Sequence, residues 1–152
     1  MAGDPPAIDL AAEKRLIDCL VALGSEGIPA SAHDISDGGL AVALAESCFA
    51  GAAGPEAAPA VGAKVALARE TAAEFSLFGE RGARAVVSVA RAKLAALRSI
   101  AGEYGVALAE IGQVTEDASL RIEYEGHAVV DASVKALRDV WANSLERTLF
   151  AT

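Results

Sequence analysis

Residues 31–40 carry the side chains best suited to chemistry. The candidate site residues lie within seven positions of one another: His33, Asp34, Ser36, Asp37, Gly38 and Gly39. Two adjacent glycines before an apolar helical run permit positive φ angles and leave backbone N–H groups uncovered. First-turn amides of a helix lack intrahelical partners and lie at the positive end of its dipole, so they accept an anion readily. Composition alone favours an ordinary helix cap and turn here. The alternative is a phosphate or phosphosugar site, with carboxylates holding a hydroxyl, an amide or Mg²⁺.

Other catalytic chemistries have little support in the sequence. A metal site built on His33 and Asp34 needs further histidine ligands, and the only other histidine is His127, in a predicted hairpin turn. Cys19 and Cys48 lie on predicted helices and are typical of small core residues. No CxxC, Walker or GxGxxG pattern is present.

A second segment, residues 77–84, combines a Gly hinge, a carboxylate and two guanidinium groups directly before a Val-rich stretch. A loop with solvated charges is the favoured interpretation of this composition, and a binding site is the alternative. The roles of Glu80, Arg81 and Arg84 therefore stay open at the sequence level.

Hydrophobic periodicity predicts the elements that position these segments. The expected helices span residues 10–23, 40–49, 70–78, 94–104 and 134–149. The expected strands lie near residues 28–34, 63–68, 84–90, 106–114, 120–124 and 128–131. We therefore predict an α+β fold, a mixed β-sheet of about 4–6 strands layered with about 4–5 helices.

Local signals refine this outline. Asp9 is a plausible N-cap for the first helix, which Gly24 should close, and Ser133 should cap the last. Trp141 falls on the apolar face of the last helix, where we expect it to anchor the core. We predict that residues 1–9 are a linker from a missing N-terminal part, that residues 51–60 form a loop, and that residues 10–152 are a single domain.

Composition and charge narrow the partners. Lys and Arg total 13 against 21 Asp and Glu, a net charge of −8, and no basic cluster interrupts the chain. Nucleic acid and anionic membrane are therefore unfavourable partners. No apolar run reaches the roughly 18 residues of a membrane span, and the N-terminus lacks the features of a signal peptide. We expect a cytoplasmic protein.

Four segments together carry a family resemblance. The block SAHDISDGGLAVALAE at residues 31–46 resembles the C-terminal domain of the large subunit of the phosphoribosylformylglycinamidine synthase family, which is related to aminoimidazole ribonucleotide synthase. GDPPAIDL at residues 3–10 is similar to the family's lead-in to this domain. LFGE at 77–80 with VVSV at 86–89, and the last helix with Trp141, are similar to its later signatures.

The resemblance implies a role in de novo purine synthesis. The full enzyme converts formylglycinamide ribonucleotide, glutamine-derived ammonia and ATP to the amidine, ADP and phosphate. ATP and Mg²⁺ serve the full enzyme, and none is expected to bind this domain alone. The implied partners are the N-terminal and other domains of the same enzyme, a glutaminase subunit and the phosphoribosyl substrate. The isolated domain should be inactive.

The resemblance also implies residue roles. Ser36, Gly38 and Gly39 would contact the phosphoribosyl or phosphate end of the substrate, Asp34 and Asp37 would orient loop or ligand, and His33 would support the loop. After LFGE the family usually continues with a small polar pair, whereas this chain has Arg-Gly-Ala at 81–83. The alternative function is a free-standing, non-catalytic dimerisation or regulatory domain of the same superfamily; a kinase-like activity is a lesser one.

Overall fold

A computed structural model describes residues 8–49, 61–69 and 71–150. The described helices are α1 (Leu10–Ser25), α2 (Gly39–Cys48), α3 (Ala73–Phe78), α4 (Leu94–Glu103) and α5 (Val134–Phe150). The described strands are β1 (Pro29–Asp34), β2 (Gly62–Leu67), β3 (Ala85–Val89), β4 (Gly112–Thr115), β5 (Ser119–Tyr124) and β6 (His127–Ser133). The α+β class is confirmed, with these strands in two sheets. The predicted loop at 51–60 and most of the predicted linker lie outside the described residues.

The described residues form two compact units. The first unit falls within residues 1–43 and 74–110 and contains the antiparallel pair β1–β3. Its core joins α1 to α4, and its buried members are Cys19, Leu23, Ile28, Leu97, Ile100 and Ala101. Cys19 is a buried core side chain, as expected, and its burial raises the pKa of the thiol.

Helix α1 begins as predicted but differs at its end and in its buried face. The Asp9 carboxylate accepts hydrogen bonds from the first-turn amides of the helix. The helix runs past Gly24 to Ser25, so the predicted stop at Gly24 was wrong. The apolar side chains of Ile17 and Val21 are exposed, because the buried stripe of the helix runs through Cys19 and Leu23 instead.

The second unit falls within residues 44–73 and 111–152 and contains a four-stranded sheet in the order β4-β2-β5-β6. Strand β2 pairs parallel with β5, whereas the β2–β4 and β5–β6 pairs are antiparallel. Alternate residues of β5 are buried, as the polar–apolar alternation predicted: Leu120, Ile122 and Tyr124. Glu125 and Gly126 both have positive φ and form the tight turn to β6.

The strand predicted over residues 106–114 is shorter than expected. It begins at Gly112, as β4, and residues 106–110 have no regular structure. A Cβ at Gly112 would clash with the Lys64 carbonyl of β2, so only glycine allows the two strands to approach this closely. The prediction began the strand at residue 106 because the apolar residues there have suitable β-propensity. Propensity along one segment does not show where pairing with another strand starts.

Trp141 does not anchor the core of the described residues. Its side chain is 56% exposed on α5, so the expected role was wrong. The indole Nε1 donates to Glu46 Oε1 at 2.8 Å, and the ring lies 5.7 Å from that of Phe49. Trp141 therefore covers the end of α2 at the surface of the second unit.

Candidate ligand-binding loop

Residues 35–39, which we name the Gly-rich loop, connect β1 to α2 in the first unit. The Ile35 amide donates to the Arg84 carbonyl at 3.1 Å and prolongs the β1–β3 pairing by one bond. The Gly39 amide donates to the Ser36 carbonyl at 3.0 Å and closes the turn. The loop thus leaves the sheet and enters a helix within five residues. It holds four of the six residues predicted for the site, Ser36, Asp37, Gly38 and Gly39, and the other two, His33 and Asp34, end β1 directly before it.

Both glycines of the loop are required by its geometry. Gly38 has φ of +77° and Gly39 has φ of +70°, in the left-handed region that other residues avoid. A Cβ on Gly38 would lie 2.5 Å from Val42 Cγ2, and one on Gly39 would lie 2.7 Å from the carbonyl carbon of Phe78. The Gly-Gly pair therefore provides both backbone conformation and close packing.

Glu80 contacts the loop, which sequence reasoning left open. The Gly38 amide donates to Glu80 Oε1 at 2.9 Å, across 42 residues of sequence. The LFGE block at residues 77–80 was the only sequence signal for this contact, and the departure after Glu80 made its role doubtful. The structure assigns the block a definite place, since its backbone also lies against Gly39.

The amides of both glycines are thus already donated within the chain. The Gly38 amide faces a carboxylate and the Gly39 amide faces a carbonyl. An external anion reaches the Gly38 amide only by replacing Glu80, or it uses the Ser36 hydroxyl and the next amides of the first helical turn. Binding of an isolated anion here should therefore be weak.

Asp34, His33 and Ser36 form a small polar cluster at the start of the loop. The Ser36 hydroxyl, the Asp34 backbone amide and the nearby His33 ring together lower the pKa of the Asp34 carboxyl, with the hydroxyl contributing most. His33 Nδ1 lies 2.6 Å from the Asp34 carbonyl oxygen and 3.5 Å from Oδ1. Asp34 is therefore ionised at neutral pH.

Exposure separates the side chains that can meet a ligand from those that support the loop. Ser36, Asp37 and Asp34 are exposed, His33 is half-buried and Gly39 is buried. The exposed carboxylates and hydroxyl suit hydrogen bonds to a polar ligand, whereas Gly39 serves packing.

The described ranges offer few other sites. No group of three or more His, Cys, Asp or Glu residues in them could hold a metal ion. In these same ranges we find no helix with the length and apolar character needed to cross a membrane. Cys48 is buried, which raises the pKa of its thiol.

The Gly-rich loop and the Glu80 segment lie within a stretch that defines a known family. Residues 2–125 match the family described as AIR synthase related protein, C-terminal domain. The chain belongs to this family.

Curated relatives of the chain indicate one particular enzyme subunit within this family. Phosphoribosylformylglycinamidine synthase subunit PurL of Thermoanaerobacter sp. (strain X514) is 35% identical over 144 residues, covering 95% of this chain and 18% of the relative. The same subunit of Anaeromyxobacter sp. (strain Fw109-5) is 41% identical over 140 residues, covering 91% and 18%. The chain thus spans about a fifth of the length of these relatives.

Solved structures of PurL from Thermotoga maritima share the fold. The complex with FGAR superimposes with a TM-score of 0.71 at 27% identity, over 87% of this chain and 22% of that one. The complex with ATP gives 0.70 at 27% identity, over 86% and 22%. The PurLQS structure gives 0.66 at 25% identity, over 90% and 22%.

Proposed function

We propose that this chain acts as the C-terminal domain of a formylglycinamidine ribonucleotide synthase in purine biosynthesis. The observation that carries the proposal is the match to PurL subunits over more than nine-tenths of the chain. Residues 10–152 make up the functional domain, and residues 1–9 are its linker to the rest of the enzyme. We place the protein in the cytoplasm, where nucleotide precursors are made.

The proposed reaction is an ATP-dependent C–N ligation. The full enzyme takes formylglycinamide ribonucleotide (FGAR), ammonia derived from glutamine, and ATP with Mg²⁺. It releases the amidine, ADP and phosphate. The Thermotoga maritima PurL structures in complex with FGAR and with ATP support this substrate set. ATP and Mg²⁺ belong to the full enzyme, and neither binds this domain alone.

The Gly-rich loop contributes the phosphoribosyl side of the substrate cleft. Ser36 and the backbone of Gly38 and Gly39 contact the phosphoribosyl or phosphate end, while Asp34 and Asp37 orient loop or ligand. His33 supports the loop through its contact with the Asp34 carbonyl. The exposed Ser36 hydroxyl and the exposed carboxylates of Asp34 and Asp37 support this assignment.

The partners follow from the same proposal. They are the N-terminal and other domains of the enzyme and a glutaminase subunit that supplies ammonia. The PurLQS assembly solved from Thermotoga maritima, in which a PurL is a component, supports a multi-subunit arrangement.

The chain should be inactive alone and active when assembled. A phosphoryl-transfer enzyme must hold ATP, metal and acceptor together, and one wall of a cleft cannot do so. We would mix the chain with the N-terminal remainder of a PurL subunit and assay amidine formation from FGAR, ATP and ammonia. Activity should require both parts. A folded, demonstrably assembled complex that stays inactive would count against the proposal.

A second test addresses the loop itself. Titration with inorganic phosphate, followed by amide NMR, should shift Gly38, Gly39 and the next residues of α2, with weak affinity because Glu80 already holds the Gly38 amide. The matched reference is Gly126, a turn glycine of the other unit that also has positive φ. Shifts of equal size at Gly126, or none at the loop, would remove the phosphate-contact role.

A further inference from the structure

We propose that Glu80 is a positioning residue for the Gly-rich loop. Its carboxylate holds the Gly38 amide and thereby sets the direction in which Ser36 and Asp37 present their side chains. The consequence for substrate binding rests on the proposed function, whereas the positioning of the loop does not.

The loop needs a contact from outside itself. Two successive residues with positive φ, in a short polar turn, lose considerable conformational freedom when they are fixed. The turn has a single internal backbone bond, from the Gly39 amide to the Ser36 carbonyl. A charged acceptor on the Gly38 amide is stronger than a neutral one, so Glu80 suits this task.

The segment that carries Glu80 contacts both glycines. The Glu80 carboxylate accepts from Gly38 at 2.9 Å. The backbone of Leu77 and Phe78 lies so close to Gly39 that a Cβ there would be 2.8 Å from the Leu77 carbonyl oxygen. One four-residue segment thus determines the position of the loop's whole second half.

The backbone beside Glu80 is itself fixed. The Gly79 amide donates to the Phe75 carbonyl at 3.1 Å and completes the end of α3. Arg84 Nη2 donates to the Gly79 carbonyl at 2.8 Å. Because its neighbour is held from both sides, the Glu80 side chain extends from a rigid base, and its length decides whether it reaches Gly38.

Three substitutions at Glu80 separate contact from charge. Glu80→Ala removes the acceptor, Glu80→Asp keeps the charge but shortens the side chain by one methylene, and Glu80→Gln keeps the length and a carbonyl acceptor. Hydrogen exchange of the Gly38 amide should accelerate about ten- to a hundredfold in Glu80→Ala and Glu80→Asp, and stay within about tenfold of wild type in Glu80→Gln.

The matched control is Glu26→Ala, which removes an exposed carboxylate at the end of α1 and should leave Gly38 exchange unchanged. Core amides of α4, such as that of Ile100, report whether each variant is folded. Unchanged Gly38 exchange in Glu80→Ala overturns the proposal, as does a Glu80→Gln variant that exchanges as fast as Glu80→Ala. If Glu80→Ala fails to fold, the comparison of Glu80→Asp with Glu80→Gln tests the proposal by itself: Gly38 exchange should be faster in Glu80→Asp, and equal rates in the two variants overturn the proposal.

A second test measures the steady-state kinetics of the same variants in the assembled enzyme. Glu80→Ala should raise KM for FGAR about tenfold or more while changing kcat less, and Glu80→Gln should restore most of the loss. An inactive wild-type assembly would sink the proposed function and leave the exchange result standing. Normal exchange in Glu80→Ala would sink the positioning role whatever the activity.

Discussion

Gly39 is the residue at which loop conformation and packing meet. Its φ is +70°, and the backbone of residues 77–78 occupies the space that a side chain would need. The two constraints cannot be relieved separately. Moving the loop to make room for a side chain at Gly39 would also move the Gly38 amide away from Glu80. A single methyl group here should therefore affect the whole site.

We predict that Gly39→Ala lowers the free energy of unfolding by about 2–4 kcal/mol, from a strained φ and a clash with backbone that cannot yield easily. The control is Gly24→Ala in α1, where an added Cβ meets nothing within 4 Å. This substitution should be neutral or stabilise by up to about 1 kcal/mol, since alanine favours helix. Urea unfolding monitored by circular dichroism measures both. Equal effects of the two substitutions would contradict the close packing of Gly39 against residues 77–78.

Among the elements, β5 shows most clearly how pattern and packing agree. Its alternation of apolar and charged residues predicted one buried face, and the strand lies inside the four-stranded sheet between β2 and β6. Ile122 on this face has no exposed surface. The strand therefore contributes much of the second unit's core.

Ile122→Ala should destabilise the second unit by about 2–5 kcal/mol, because it leaves a cavity in a closely packed sheet. Val129→Ala on β6 is the matched control, since Val129 is 43% exposed and its truncation should cost under about 1 kcal/mol. Fluorescence of the single tryptophan, Trp141, reports unfolding of this unit through its contacts with Glu46 and Phe49. A cost for Ile122→Ala no larger than that for Val129→Ala would contradict the buried register of β5.

Element positions were predictable where a local signal existed. The Asp9 cap, the β5 alternation and the Gly126 turn are each determined within a few residues, and all are present in the structure. The start of β4 and the exposure of Trp141 were not predictable. Both depend on what lies across from them, and periodicity along one segment contains no information about its partner.

The molecule as a whole exposes many large apolar side chains in its described part. More than half of the side-chain surface is exposed in Ile8, Leu10, Ile17, Val21, Phe75, Phe78, Val114, Val140, Trp141, Leu145, Leu149 and Phe150. The composition is also rich in small side chains, since 36 of the 81 or so hydrophobic residues are alanine, which leaves few large side chains for a core.

The sequence alone determined the fold class and the family, because these depend on local periodicity, composition and a contiguous block at residues 31–46. The same block predicted where the candidate site lies. The tertiary structure decided what holds the site together. It placed Glu80 on the Gly38 amide and residues 77–78 against Gly39, contacts between segments some 40 residues apart. Such contacts arise from how α3 and the β1–β3 pair fold in space, and spacing along the chain does not encode that arrangement.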